Sequence, residues 1–281
     1  MKNKDTAVPN FTDTKAESMS DKILDVRQMT MDFGGLRALD HVDLDVAAGE
    51  IVALIGPNGA GKTTFFNCIT GIYTPTAGDV IISPAGKAPE RINGLKPNLV
   101  TARGMARTFQ NIRLYKNMTV LENVMIGRHC RTRTGVIGAI FRGPRTRREE
   151  QEIVDDSYDI LKKIGLEQHV NELACNLPYG EQRRLEIARA MATHPFLIML
   201  DEPAAGMNPQ ETRDLTDLIN RIRDEEGISL LLIEHDMKLV MKLSERIFVL
   251  DYGKKIAEGT PEEIKNNPVV IKAYLGEDAD A

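Results

Sequence analysis

An α/β fold organised around a phosphate-binding loop is predicted by three features of the 281-residue chain. A short apolar, β-branched run, Ile51 to Ile55, passes through Gly56-Pro57-Asn58-Gly59-Ala60-Gly61-Lys62-Thr63-Thr64 into a helical segment. Two more apolar runs, Phe196 to Leu200 and Ile228 to Ile233, each stop abruptly at charged residues. Helical patterns separate these runs, and buried strands alternating with helices form parallel sheets.

The loop carries the most specific chemistry. Its glycines let backbone N–H groups converge on phosphate oxygens without a Cβ in the way, and the helix that follows presents its positive end to the same anion. In such a loop Lys62 reaches the β and γ phosphates, and Thr63 ligates magnesium.

Composition bounds the remaining classes. The length suits one large α/β core with an inserted subdomain. A formal charge of −5 and a pI near 5.7 weigh against a general nucleic-acid binder. Apolar runs such as ISLLLI are far shorter than the roughly 20 residues of a membrane span, and no apolar signal segment follows the N-terminus. Cys68, Cys130 and Cys175 lack metal-ligand spacing and are odd in number, which indicates unpaired thiols in a reducing compartment.

In chain order, residues 1–20 read as a disordered tail. Ile23 to Met31 and Leu39 to Val46 read as strands flanking the turn at Phe33-Gly34-Gly35. Phe33 is either core or a stacking platform for a base. Asp79 to Ile82 is a further strand, followed by a polar loop to Pro97. MARTFQ ends at Gln110, which is either a surface residue or a ligand for magnesium and water. Residues 114–173 turn helical, with Thr119 a candidate N-cap and a basic, Gly- and Pro-interrupted stretch near residues 129–148. That stretch reads as a solvated face, with anionic lipid or an acidic partner as alternatives. Leu177-Pro178-Tyr179-Gly180-Glu181-Gln182 feeds a helix whose Leu185, Ala188, Met191 and Ala192 share a face.

Asp201 and Glu202 end a buried strand where ligands of open α/β sheets sit. Burying both without a cation is costly, which predicts a metal there. Asp201 can hold magnesium through water, and Glu202 can polarise the water that attacks a γ-phosphate. His235 ends another strand, and a helix is expected over Thr212 to Arg223.

The order GPNGAGKTT, Gln110, LPYGEQRRLEIARA, LIMLDEP, AAGMNP and His235 resembles the nucleotide-binding subunit of an ATP-binding cassette (ABC) transporter, over residues 22–275. The resemblance implies one P-loop ATPase domain (21–275) with an antiparallel β subdomain and an α-helical subdomain inserted at 113–180, followed by a tail at 276–281. ATP and Mg²⁺ are the implied cofactors, with Thr63, Gln110 and Asp201 on the metal and Phe33 stacking adenine. Glu202, His235 and Gln110 are the implied catalytic residues, and Ala205, Gly206, Met207 and Asn208 lie in the D-loop, the turn after the Asp201-Glu202 pair. Leu177 to Gln182 is the signature, which closes on ATP bound by a partner subunit. Pro178 stands where the common LSGGQ signature has serine. One charge-assisted hydrogen bond is worth about 1.5–3 kcal/mol, so its loss could make two ATP sites unequal.

Within that family, MDFGGLRALD, the basic helical insert and AYLGE look like the larger ATPase subunit of branched-chain amino acid importers. Such a subunit implies a second ATPase subunit, two transmembrane permeases, a periplasmic solute-binding protein, no nucleic acid, and a place on the cytoplasmic face of the cell membrane. Relatives handling urea, short amides or lipopolysaccharide share much of the pattern. A soluble ABC ATPase acting on DNA or ribosomes is a rival of another class. A P-loop kinase or GTPase leaves LPYGEQ and His235 unexplained.

Overall fold

Strand β3 (Ile51–Ile55) is buried along its whole length, as a run of IVALI demands when both faces of a sheet are covered. The computed structural model describes residues 22–128 and 144–275 and places β3 inside a six-stranded sheet. Its neighbours are β8 (Ser229–Ile233) and β9 (Arg246–Asp251), with β7 (Leu197–Asp201) and β6 (Met105–Arg107) continuing beyond β8. All five run parallel, and β10 (Lys254–Gly259) adds an antiparallel edge to β9. A second, antiparallel sheet has β1 (Lys22–Phe33) between β2 (Leu36–Ala47) and β4 (Ala77–Ile82), with the two-residue β5 (Glu90–Arg91) at its edge.

The period-2 geometry of β3 divides the core. Ile51, Ala53 and Ile55 join one apolar cluster, with residues of α5 (Tyr179–Met191) and α6 (Pro209–Glu226). Val52 and Leu54 join the other, with Phe65, Phe66 and Ile69 of α1 (Lys62–Ile69) and the inner face of the antiparallel sheet. Cys68 of α1 is buried in this second cluster, and burial pushes its thiol up to about 12. Arg246 ties the two sheets, meeting Asp45 at 2.8 Å and Glu50 at 2.9 Å.

Between β6 and β7, α3 (Val120–Arg128), α4 (Pro144–Ile164) and α5 pack on one another. The helical pattern expected over 114–173 is interrupted. Thr119 starts α3, accepting from the Glu122 N–H at 3.2 Å while its own N–H donates to the Glu122 carboxylate at 2.7 Å. After Ile164 the chain turns through Gly165 into two short 3-10 segments before the signature. The middle of the basic stretch, residues 129–143, and both expected tails lie outside the described residues.

Several elements differ from expectation. Helix α6 starts at Pro209 rather than Thr212, because Asn208 and Glu211 form a capping box. Three short helices, α2 (Pro97–Ala102), α7 (Met237–Leu243) and α9 (Pro268–Leu275), were not expected from sequence; α8 (Pro261–Lys265) was.

Candidate nucleotide site

The phosphate-binding loop leaves the C-terminal end of β3 and re-enters structure as α1. Gly56 has φ +149°, and a Cβ there would overlap the Leu250 carbonyl of β9. Gly61, at φ +101°, is the N-cap of α1, and a Cβ there would lie 2.9 Å from the Ala38 carbonyl oxygen. These two positions require glycine because the loop is pressed between β2 and β9. The Lys62 ammonium donates to the carbonyls of Gly56 at 2.7 Å and Pro57 at 2.8 Å. Burial lowers its pKa, opposed by the nearby charges of Glu202 and Asp201.

A cavity of 470 Å³ opens over this loop, a size suited to a nucleotide. Asn58, Gly59, Ala60, Gly61, Lys62, Thr63, Thr64 and Glu202 line it, with Phe33, Leu36, Arg37 and Tyr252. Phe33 is 41 % exposed and braced edge-on by Tyr73, ring centroids 5.3 Å apart.

Asp201 is buried at the end of β7, where Arg107 of β6 sets Nη2 2.7 Å from Oδ2. Arg107 Nη1 also donates to Asn67 of α1 at 2.8 Å and to Thr70 at 3.1 Å. The chain thus supplies one cation of its own beside the carboxylate for which the sequence predicts a metal. Glu202 is less buried and takes φ +46°, its N–H donating to the Ile233 carbonyl at 2.9 Å. Gln110 Nε2 donates to Glu202 Oε2 at 2.7 Å, and His235 Nδ1 lies 3.6 Å from that same oxygen. Two residues singled out in the sequence thus converge on one carboxylate oxygen of a third.

The donor set suits magnesium. A Thr63 hydroxyl at a helix N-terminus, one Asp201 carboxylate and the Gln110 amide oxygen are hard oxygen donors of the kind that would hold Mg²⁺, an ion that usually keeps phosphate and water ligands as well. Among the described residues no group of three or more His, Cys, Asp or Glu gathers as a self-sufficient metal cage.

Sequence reasoning missed Glu234. This buried carboxylate accepts from the Ala204 N–H at 2.9 Å and the His235 N–H at 3.2 Å, tying the turn after Glu202 to the turn holding His235. Burial raises its pKa against those bonds. A charged residue ending an apolar strand was the available signal.

The signature residues stand apart from the phosphate loop. Leu177 is buried and Pro178 is the N-cap of α5. Pro178, Gly180 and Glu181 line a separate cavity of 110 Å³ with Met207. Gln182 Nε2 donates to the Leu177 carbonyl at 2.8 Å, and Tyr179 Oη to the Ala205 carbonyl at 2.9 Å. A Cβ on Gly206 would meet the Tyr179 ring at 3.6 Å, and Asn208 caps α6. None of the six signature residues lines the phosphate cavity.

A parallel sheet with a glycine-lysine loop at the end of β3 and a carboxylate pair at the end of the nearby β7 defines a P-loop ATPase. Residues 39–205 match the family model described as ABC transporter, and residues 254–280 match that of the branched-chain amino acid ATP-binding cassette transporter. The high-affinity branched-chain amino acid transport ATP-binding protein LivG of Escherichia coli (strain K12) is 49% identical over 259 residues, covering 92% of this chain and 100% of the relative. BraF of Pseudomonas aeruginosa, described in the same words, gives the same identity and coverage. The solved ADP conformation of MJ1267, an ATP-binding cassette of an ABC transporter, superposes with a TM-score of 0.78 at 32% identity, covering 91% of this chain and 99% of that one. The chain belongs to the ABC transporter family, in its branched-chain amino acid branch, and is an ATPase subunit.

Proposed function

We propose that this chain hydrolyses ATP to power a branched-chain amino acid importer, closing as a dimer on ATP and reopening after hydrolysis. The observation that carries the hydrolytic part is the convergence of Gln110 and His235 on one oxygen of Glu202, beside the phosphate cavity. Glu202 polarises the attacking water, a role worth roughly 10² to 10⁴ in rate. Gln110 and His235 hold its carboxylate and sense the γ-phosphate, Lys62 binds the β and γ phosphates, and Phe33 stacks on the adenine. Thr63, Asp201 and Gln110 hold Mg²⁺, which when bound neutralises phosphate charge.

The separation of the signature from the loop supports its use in trans, with Leu177 to Gln182 closing on ATP held by a second ATPase subunit and Ala205 to Asn208 lining the same interface. A groove of 840 Å³ supports docking of a membrane partner. It lies among β6, α3 and α5, with Leu114, Tyr115, Ile126, Arg113 and Arg189 on its walls. Among the described residues no helix is long and apolar enough to cross a membrane. We place the chain on the cytoplasmic face of the cell membrane, held there by two permeases that receive solute from a periplasmic binding protein.

Purification through a tag on this chain, in mild detergent, tests the assembly. Recovery of two multi-span permeases and a second ATPase subunit, with ATP turnover in proteoliposomes raised by leucine-loaded binding protein, is the expected result. Recovery of nucleic acid or ribosomes instead would leave the ATP chemistry and overturn the transport assignment.

A further inference from the structure

Arg183, in the second turn of the signature helix α5, is fully buried although it carries a charge. It pairs with Glu186 one turn on, at 2.9 Å, and both side chains are at most 1% exposed. Removing two charges from water is unfavourable, and their mutual attraction offsets this only when the geometry is good and the remaining donors are used. Both terminal nitrogens turn to one target, while Nε stays buried without a hydrogen-bond partner. Arg183 Nη1 donates to the Phe109 carbonyl and Nη2 to the Gln110 carbonyl, each at 2.7 Å. Glu186 accepts from the Arg113 N–H at 3.2 Å. The buried pair thus grips the 109–113 loop at both ends from the side of α5.

The grip adds a link between the signature helix and the Glu202 site to the one that Tyr179 makes through Ala205. At its far end, Gln110 reaches from the gripped backbone to Glu202 at 2.7 Å. At its near end, α5 begins with the signature residues Tyr179 to Gln182. A guanidinium suits this task because its planar fork offers parallel N–H donors to successive carbonyls, which a lysine ammonium cannot match.

We propose that Arg183 is a positioning residue that fixes the Gln110 backbone to the signature helix. A displacement of α5 by a nucleotide on its signature end then resets the Gln110 contact with Glu202 in the chain's own site. This deepens the function proposed above and rests on its roles for Glu202 and the signature. The pair therefore makes hydrolysis in one subunit depend on occupancy of the site completed by its signature.

The test uses the full chain in the complex recovered with it, as Arg183→Lys and as the paired Arg183→Met/Glu186→Met, which removes both buried charges at similar volume. Hydrogen exchange is followed in residues 108–113 and in α5, with and without ATP, in the Glu202→Gln background; turnover is followed with Glu202 intact. In the parent, ATP protects both segments together. In both Arg183 variants α5 gains protection while 108–113 does not, and kcat falls at least tenfold with KM for ATP within twofold. Protection of 108–113 in step with α5 in either variant, or a kcat loss matched by the loss of folded protein in a thermal melt, overturns the proposal. Normal turnover of Glu202→Gln with Arg183 intact would instead overturn the underlying reading, so the two failures are distinguishable.

Discussion

Arg107 sets a guanidinium nitrogen 2.7 Å from Oδ2 of Asp201, with both side chains 7% exposed. The last residue of β6 therefore carries the counter-charge for the last residue of β7, and the same guanidinium reaches Asn67 of α1. One side chain locks together the strand before Gln110, the helix after the phosphate loop and the carboxylate at the mouth of the site.

Breaking that pair from one side leaves a buried, uncompensated charge. Arg107→Met is expected to lose about 3–5 kcal/mol of stability in urea melts. The double variant Arg107→Met/Asp201→Asn is expected to lose less than the two single variants together. Strict additivity would show that the two residues act independently.

Glu202→Gln keeps the shape of the side chain but removes the carboxylate proposed to polarise the attacking water. ATP affinity is expected to stay within a few-fold, turnover to fall by roughly 10² to 10⁴, and the ATP-bound dimer to accumulate on a sizing column. Near-normal turnover would remove Glu202 from the chemistry.

Lys62→Ala and Gly56→Ala should fail differently. The first loses phosphate affinity, by about 100-fold or more in equilibrium binding, while the melting temperature changes little. The second drives a methyl into the Leu250 carbonyl of β9. Because backbone cannot give way as a side-chain end can, this variant is expected to lose about 1–3 kcal/mol of stability together with ATP binding.

Glu234 predicts a pH effect whose sign follows from its raised folded pKa. Between its ordinary value of 4.5 and the higher folded value, the native state binds more protons than the unfolded chain. Stability from this group is thus present below pH 4.5 and is lost as pH rises through the folded pKa. Melting temperatures of the parent and Glu234→Gln across this range are expected to show the downward trend in the parent and a flatter curve in the variant. Parallel curves would assign the trend to other groups.

The sequence made the central strands and the phosphate loop legible, because β3, β7 and β8 are unbroken apolar runs ended by glycine or carboxylate. The meeting of Phe33, Lys62 and Glu202 around one cavity was legible through the order of motifs. Arg107 and the Arg183–Glu186 pair were not. A charged residue at helical or strand spacing is usually on a solvated face, and only the packing of α5 against the 109–113 loop puts Arg183 indoors. Helices α7 and α9 escaped notice because seven or eight residues give little periodicity, and tertiary contact rather than propensity holds them.

Cys68 shares α1 with Lys62, and burial pushes its thiol up to about 12, which keeps it protonated at neutral pH. Oxidants and alkylating agents attack the thiolate. The helix that carries Lys62 therefore offers such reagents little thiolate to attack.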